Sequence, residues 1–234
     1  MDLDMPSASV IVFDVNETLS DLEPMRQRFT DIGLPAQLAQ TWFAQVLRDG
    51  FALAAAGGST TFSTIADGVL RSLFPQHAPD RDADQAVQHV LEGFSSLHVH
   101  PDVPAGVRAL ASQGLRLVTL TNGATRVADT LLTSAGVREQ FERFLSVEDA
   151  GRWKPTRESY TYAARECAVP PVELMLVAVH PWDIDGAARA GLQTAWTDRT
   201  GVAPYPSYFA MPDLTVSGVD ELARQVTETG KAGT

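Results

Sequence analysis

The sequence predicts an α/β fold with a parallel-sheet core and a helical segment inserted after its first strand. From Pro101 onward, apolar runs of strand length alternate with amphipathic segments of helix length. This alternation is typical of parallel strands joined by right-handed helical crossovers, with helices on both faces of the sheet. Between Leu22 and His98, by contrast, apolar residues recur only at the spacings of three and four that indicate helices.

The first predicted strand is the run Val10 to Phe13, and Asp14 follows it directly. Its β-branched and aromatic residues are typical of a strand buried on both faces. A carboxylate at the edge of a core is costly unless hydrogen bonds or a cation compensate it, so such an acid usually has a task. Asp14 is therefore a candidate nucleophile, and the simpler alternative is a turn acid that caps the next segment.

The helical segment shows its periodicity at Leu38, Trp42 and Val46 and again from Phe62 to Leu73. Glycine and proline residues predict breaks at 33–35, 57–59 and 75–79. Several helices without an intervening strand favour a separate unit. We therefore assign residues 21–98 to a helical domain and residues 1–20 and 99–234 to the sheet-containing core.

The remaining elements follow from the alternating pattern and from helix and strand boundary signals. They are predicted, in order, as helix Pro104 to Gln113, strand Leu115 to Thr121, helix Thr125 to Ser134, strand Phe144 to Val147, helix Arg157 to Cys167, strand Leu174 to Val179, helix Ile184 to Ala190, strand Thr194 to Thr197, strand Leu214 to Val216 and helix Val219 to about Thr227. Residues 230–234 are expected to be frayed.

Polar residues follow three further strands. Thr121 and Asn122 close the second strand, Lys154 lies in a loop after the third, and Asp183 follows the fourth. Ligands of open parallel sheets bind at the carboxyl ends of the strands, so these residues should converge with Asp14. Lys154 would restrain the charge of the nucleophile, and Asp183 would orient or deprotonate a water. The alternatives are helix caps and, for Lys154, a solvated surface charge.

Composition narrows the function. A net charge of −11, from 18 basic and 29 acidic residues, argues against a nucleic-acid partner but leaves room for a small anionic substrate. The apolar runs are strand-sized, so no membrane span is expected. The first residues are acidic where a signal peptide would be basic, which favours a cytoplasmic protein. The single Cys167 excludes an internal disulfide.

Taken together, these residues resemble the haloacid dehalogenase superfamily. Its four motifs are matched, in order, by Asp14 to Leu19, Leu120 to Gly123, Lys154-Pro155 and His180 to Asp183. The resemblance implies a Rossmann-like core in which the helical domain, residues 21–98, is a cap domain inserted after the first motif.

The sequence looks most like the L-2-haloacid dehalogenases of this superfamily. Phosphatase members use a second Asp two residues after the nucleophile as general acid, and Asn16 stands there. They also bind Mg²⁺ through an early acid of the fourth motif, where this sequence has Ala178 and Val179. Halide leaves without a proton, so a dehalogenase does not need the general acid that is missing here. The resemblance therefore implies a hydrolase that needs neither metal nor cofactor.

By this resemblance, Asp14 would attack carbon 2 of a short 2-haloalkanoic acid, expel halide and form a covalent ester. Water guided by Asp183, Lys154 and Asn122 would then hydrolyse the ester. Substrate contacts are implied for Asn16, Thr18, Thr121, Tyr160, His180, Trp182, Phe43 and Phe62. A homodimer is also expected by analogy.

Two departures from the family pattern bear on the substrate. The family's cap Arg follows a Trp, but Trp42 is followed by Phe43, so Arg28 or Arg48 would have to reach the pocket instead. His180 replaces the family's Asn, and we hypothesise that it takes over part of the water-positioning role. The alternatives are a magnesium-dependent phosphatase and a catalytically altered relative that acts on another small carboxylate.

Overall fold

The computed structural model describes residues 8–78, 82–202 and 204–232. Its centre is a six-stranded, fully parallel sheet with strand order β3-β2-β1-β4-β5-β6. The strands are β1 (Val10–Phe13), β2 (Arg116–Thr121), β3 (Phe141–Ser146), β4 (Leu174–Ala178), β5 (Gln193–Thr197) and β6 (Leu214–Val216). The predicted α/β class with a parallel sheet is confirmed.

The position of β1 explains where a site can form. β1 pairs with β2 on one side and with β4 on the other. The sheet therefore extends from β1 through β2 and β3 in one direction and through β4, β5 and β6 in the other. All four β1 side chains are buried, as expected for a strand covered on both faces. The Asp14 amide donates to the carbonyl of Val177 at 3.0 Å. Asp14 therefore sits just past the carboxyl end of β1, at the topological switch point.

Ten α-helices accompany the sheet within the described residues. Four of them lie within residues 21–98: α1 (Met25–Asp31), α2 (Leu38–Ala55), α3 (Phe62–His77) and α4 (Ala83–Ser95). The others are α5 (Val103–Ser112), α6 (Thr125–Ser134), α7 (Val147–Ala150), α8 (Arg157–Cys167), α9 (Pro181–Ala190) and α10 (Val219–Ala232). None of the helices in this part of the chain is both long and apolar enough to cross a membrane.

The inserted helices pack around Trp42. Its ring lies 5.7 Å from those of Phe29 and Phe94, and its Nε1 donates to the carbonyl of Ala66 at 3.0 Å. Trp42 is thus buried with its only polar atom satisfied. The 3.6-residue periodicity of this segment produced a contiguous apolar cluster.

Several predicted boundaries were wrong. The third strand starts at Phe141 and ends at Ser146. It ends there because the Ser146 hydroxyl accepts a hydrogen bond from the amide of Glu148 at 3.0 Å and so caps α7, which begins at Val147. The break predicted at 75–79 is confirmed, because α3 ends at His77, although Pro75 itself lies inside the last turn of the helix. α10 extends beyond Thr227 to residue 232. Residues 1–6, 79, 233 and 234, used in the sequence analysis, lie outside the described residues.

Gly50 on α2 is expected to tolerate no side chain. A Cβ at Gly50 would overlap the ring of Trp153, whose Nε1 donates to the carbonyl of Thr60 at 2.9 Å. We expect Gly50→Ala to lower the free energy of unfolding by about 1–3 kcal/mol through overpacking. Urea denaturation measures this change.

Gly68 on α3 provides the matched control. A Cβ there meets no atom within 4 Å. Gly68→Ala should therefore raise the free energy of unfolding by roughly 0.5–1 kcal/mol, the gain in helix propensity. Equal shifts for the two variants would show that the Trp153 contact does not constrain α2.

Candidate active site

The carboxylate of Asp14 accepts hydrogen bonds from three side chains. Lys154 Nζ lies 2.8 Å from Oδ1, and Thr18 Oγ1 donates to Oδ2 at 2.7 Å. His180 Nδ1 lies 3.2 Å from the same Oδ2. Only 4% of Asp14 is exposed, so these groups replace water around it. Two of the three can carry positive charge, which stabilises the ionised carboxylate.

Lys154 joins Asp14 to Asp183. Its Nζ lies 2.6 Å from Asp183 Oδ2, and both side chains are fully buried. The other oxygen of Asp183 accepts the hydroxyl of Tyr160 at 2.6 Å. Each carboxylate oxygen of Asp183 therefore has a strong donor. Tyr160 is itself fully buried, so it contacts Asp183 from the interior of the protein.

Asn122 holds the backbone that presents Lys154. Its Oδ1 accepts the Lys154 amide at 2.9 Å, and its Nδ2 donates to the Lys154 carbonyl at 3.4 Å. The loop then packs through Pro155 against Gly186 of α9, where a Cβ would come within 2.7 Å of the proline ring. Asn122 thus connects the end of β2 with the loop after β3.

The pKa shifts of the buried groups agree with this geometry. Burial opposes ionisation of Asp14, but the charge of Lys154 and the hydrogen bond with His180 hold its pKa well below the usual range. Burial likewise opposes the ammonium form of Lys154, but Asp14 and Asp183 raise its pKa. Burial raises the pKa of Asp183, and the positive charge of Lys154 offsets this increase only in part. Asp14 is therefore ionised at neutral pH.

His180 bridges Asp14 and Glu17. Its Nε2 lies 2.9 Å from Glu17 Oε2, and its ring centroid lies 4.9 Å from that of Trp182 and 6.4 Å from that of Phe43. Burial would lower the pKa of the imidazole, but hydrogen bonds and charges of the two carboxylates raise it to about 9. His180 is thus a second cation beside Asp14 at neutral pH.

Two cavities are lined by residues that neighbour or contact Asp14, namely Glu17 and His180 for one and Val15 and Asn16 for the other. The first, of about 400 Å³, is named here the Glu17 cavity. The second, of about 520 Å³, is named the Thr121 cavity. Residues that line the Glu17 cavity include Glu17, Phe43, His100, His180, Trp196 and Arg199. Residues that line the Thr121 cavity include Asn16, Phe62, Phe94, Thr121, Arg126 and Glu148.

The structure brings most of the predicted site residues into one region. Asp14, Thr18, Lys154, His180, Asp183 and Tyr160 form one hydrogen-bonded chain, with Asn122 supporting it. Trp182 packs on His180 and lies 6.0 Å from Lys154 Nζ, measured to its ring. Asn16, Thr121 and Phe62 line one cavity and Phe43 the other.

Neither arginine proposed to replace the family's cap Arg reaches these cavities. The Arg28 side chain packs against Gly93 of α4. Arg48 pairs with its neighbour Asp49 and is 65% exposed. The arginines that do line the cavities are Arg26 and Arg199 on one side and Arg126 on the other.

Glu17 was missed by the sequence analysis, although both of its neighbours were assigned to the site. It has a left-handed backbone with φ of 61°, which turns the chain after β1. Its main-chain carbonyl lies 3.0 Å from His100 Nε2, and its carboxylate binds His180. A carboxylate three residues after the candidate nucleophile, together with a loop His, was the available signal.

The fold is thus an α/β fold with a parallel sheet, in which an acid, a lysine and a second acid meet beyond the carboxyl ends of the strands. The chain belongs to the haloacid dehalogenase-like hydrolases, because the model of that family matches residues 8–191. The family assignment agrees with the class predicted from the four motifs.

The similarity to known proteins covers most of the chain. Haloacetate dehalogenase H-2 of Moraxella sp. strain B is 26% identical over 226 residues, covering 95% of this chain and 99% of the relative. An (S)-2-haloacid dehalogenase of Pseudomonas sp. strain YL is 26% identical and covers 82% and 83%. An L-2-haloacid dehalogenase structure from Xanthobacter autotrophicus with chloropropionic acid covalently bound has a TM-score of 0.84 and 22% identity, covering 94% and 98%.

Proposed function

We propose that this protein hydrolyses the carbon–halogen bond of a short 2-haloalkanoic acid, with Asp14 as nucleophile and a covalent ester as intermediate. The observation that carries the proposal is the buried Asp14, ionised by its 2.8 Å contact with Lys154. A carboxylate nucleophile must be charged, oriented and shielded from water. The names of the two similar dehalogenases support the substrate class.

In the first step, an oxygen of Asp14 forms a bond to carbon 2 as the carbon–halogen bond breaks. Halide leaves with the bonding electron pair, so no general acid is required. We place the substrate in the Thr121 cavity, where Asn16 and Thr121 supply polar contacts and Phe62 an apolar wall. In the second step, water hydrolyses the ester and releases the 2-hydroxy acid.

We also propose that residues 21–98 act as a cap domain on a core formed by residues 1–20 and 99–234. Phe43 and Phe62 come from this helical segment, and each lines a cavity next to a core residue of the site. A pocket between cap and core would exclude water from the first step. Trp182, on the core side, would complete its wall.

The residues around Asp14 do not fit a magnesium ion. Both oxygens of Asp14 already accept from side chains, and two of the donors, Lys154 and His180, are cationic at neutral pH. A hard divalent ion needs several oxygen ligands, but Asn16 stands where a phosphatase has its second Asp. This arrangement supports a metal-independent reaction over the phosphatase alternative.

Phe43 favours one variation on this function. It occupies the position of the family's cap Arg and presents an apolar ring to His180. Under this variation, the leaving group on carbon 2 of the small carboxylic acid is not a halide. The protein would then be the catalytically altered relative that acts on another small carboxylate. The cytoplasmic location, the lack of a nucleic-acid partner and the homodimer stay predictions.

We expect purified protein to release chloride from (S)-2-chloropropionate at the same rate with and without EDTA. The reason is that Lys154, not a metal, compensates the charge of Asp14. Chloride is measured by ion chromatography, and p-nitrophenyl phosphate serves as the comparison substrate. Phosphoester hydrolysis that EDTA abolishes would identify a phosphatase, and inactivity on both substrates would identify the altered relative.

A further inference from the structure

The turn at Glu17 is held at both ends of its main chain. Its amide donates to the Ser20 hydroxyl at 3.3 Å, and its carbonyl accepts from His100 Nε2 at 3.0 Å. Glu17 has a φ of 61°, a left-handed conformation that costs free energy for a residue with a Cβ. Such a conformation persists only where the surrounding contacts hold it. The two hydrogen bonds therefore keep Glu17 in a conformation that it would otherwise rarely adopt.

The main chain of His100 is itself fixed beside this turn. His100 lies between α4 and α5, in the segment that leads back to the sheet. Its amide donates to the carbonyl of Leu19 at 2.9 Å, and the amide of Asp21 donates to the carbonyl of His98 at 2.8 Å. These two bonds join the segment that follows β1 to the segment that returns from α4. The imidazole of His100 therefore reaches Glu17 from a backbone that is already anchored.

The His100 imidazole acts on Glu17 only as a hydrogen-bond donor. A carbonyl oxygen can only accept, so Nε2 of His100 carries the proton in this contact. Partial burial and the charge of Arg199 lower the pKa of His100. The carboxylates of Asp21 and Asp102 oppose this decrease only in part. His100 is therefore neutral at neutral pH, and it does not offer the Glu17 carboxylate a second cation.

We propose that His100 is a positioning residue of this site, which holds the Glu17 carbonyl and thereby directs the Glu17 carboxylate onto His180. Glu17 Oε2 lies 2.9 Å from His180 Nε2, and His180 Nδ1 lies 3.2 Å from Asp14 Oδ2. If the main chain of Glu17 left the left-handed region, its side chain would point in another direction and the 2.9 Å contact would be lost. The cation beside Asp14 thus depends on a residue outside the four motifs. The inference goes beyond the proposed function, because it concerns the charge of the resting site and no step of the reaction.

The test is a titration of the His180 imidazole by NMR in the absence of substrate. Burial opposes protonation of His180, but Asp14 and Glu17 raise its pKa to about 9 in the wild-type protein. The side-chain amide of Asn is too short to reach the position of His100 Nε2, whereas that of Gln can reach it. Loss of one charged partner typically moves a pKa by about 1–3. We therefore expect the pKa of His180 to fall to about 6–8 in His100→Asn and to stay at about 9 in His100→Gln.

Two further variants and a control locate the effect. Glu17→Gln removes the carboxylate and should lower the pKa of His180 by a similar amount. Because His100 acts through Glu17, the double variant of His100→Asn with Glu17→Gln should show no further decrease. His98→Asn, the same change at an exposed position two residues earlier, should leave the pKa of His180 at about 9. The signal of His180 is identified by its absence from the spectrum of His180→Asn.

Three results would overturn the assignment. An unchanged pKa of His180 in folded His100→Asn, or decreases that add in the double variant, would mean that His100 does not act through Glu17. A decrease in His100→Gln as large as that in His100→Asn would mean that the donor at Nε2 does not matter. In the wild-type protein, the imidazole nitrogens of His100 should show the neutral form with its proton on Nε2 at about pH 7. The opposite tautomer would overturn the proposal even if His100→Asn did not fold. Because the titration needs no substrate, a lack of chloride release would reject the proposed function without affecting this inference.

Discussion

Asp14→Asn should lower the rate of chloride release from (S)-2-chloropropionate by about 10⁴- to 10⁶-fold, as for other nucleophile deletions. The amide has nearly the same shape but cannot form the ester. The remaining site would keep its fold, because Lys154 retains its 2.6 Å ion pair with Asp183. Chloride release and the mass of the protein after incubation with substrate measure the effect.

Asp67→Asn is the matched control for this variant. Asp67 pairs with Arg71 on the surface of α3, and Arg71 keeps a second partner in Asp84. The same chemical change there should leave turnover unaffected. Turnover that persisted in Asp14→Asn would reject the nucleophile and the ester together, without altering the assignment of the fold.

Lys154→Met is expected to have the largest effect on stability. Removing Lys154 leaves two buried carboxylates, those of Asp14 and Asp183, without their shared cation. Breaking a buried ion pair from one side typically costs about 3–5 kcal/mol. The free energy of unfolding, measured by urea denaturation at pH 7, should fall by about this amount, and chloride release should be lost.

The pH dependence follows from the same charges. Without Lys154, the folded variant takes up protons on Asp14 and Asp183 at higher pH than the unfolded chain does. In the wild-type protein, the depressed pKa of Asp14 contributes stability that is lost as pH falls, and the raised pKa of Asp183 opposes this loss. The difference between the two proteins should therefore be largest near neutral pH and shrink on acidification.

Two further variants check that the effect comes from buried charge. Arg189→Met removes a surface ion pair with Asp185 in which the Arg189 side chain is 69% exposed, and it should cost less than about 1 kcal/mol. Lys154→Met combined with Asp183→Asn should recover part of the lost stability. Equal losses for Lys154→Met and Arg189→Met would mean that the buried carboxylates are neutral in the folded protein.

The sequence by itself determined the sheet and the convergence of Asp14, Lys154 and Asp183. The central strands β1 and β4 were readable because a strand buried on both faces must be a continuous apolar run, whereas the start of β3, with exposed Glu142 and Arg143, was not. The convergence followed from topology alone, since all the carboxyl ends of parallel strands lie at one edge. Hence residues separated by more than a hundred positions could be placed together before any contact was known.

Only the tertiary structure decided where the side chains point beyond those strand ends. The left-handed turn at Glu17 directs its carboxylate to His180, and packing puts Tyr160 behind Asp183. It also leaves Arg28 against α4, away from both cavities. These outcomes depend on loop conformation and on which long side chain fills which space. Both are set by contacts between distant segments, and a local sequence pattern does not predict such contacts.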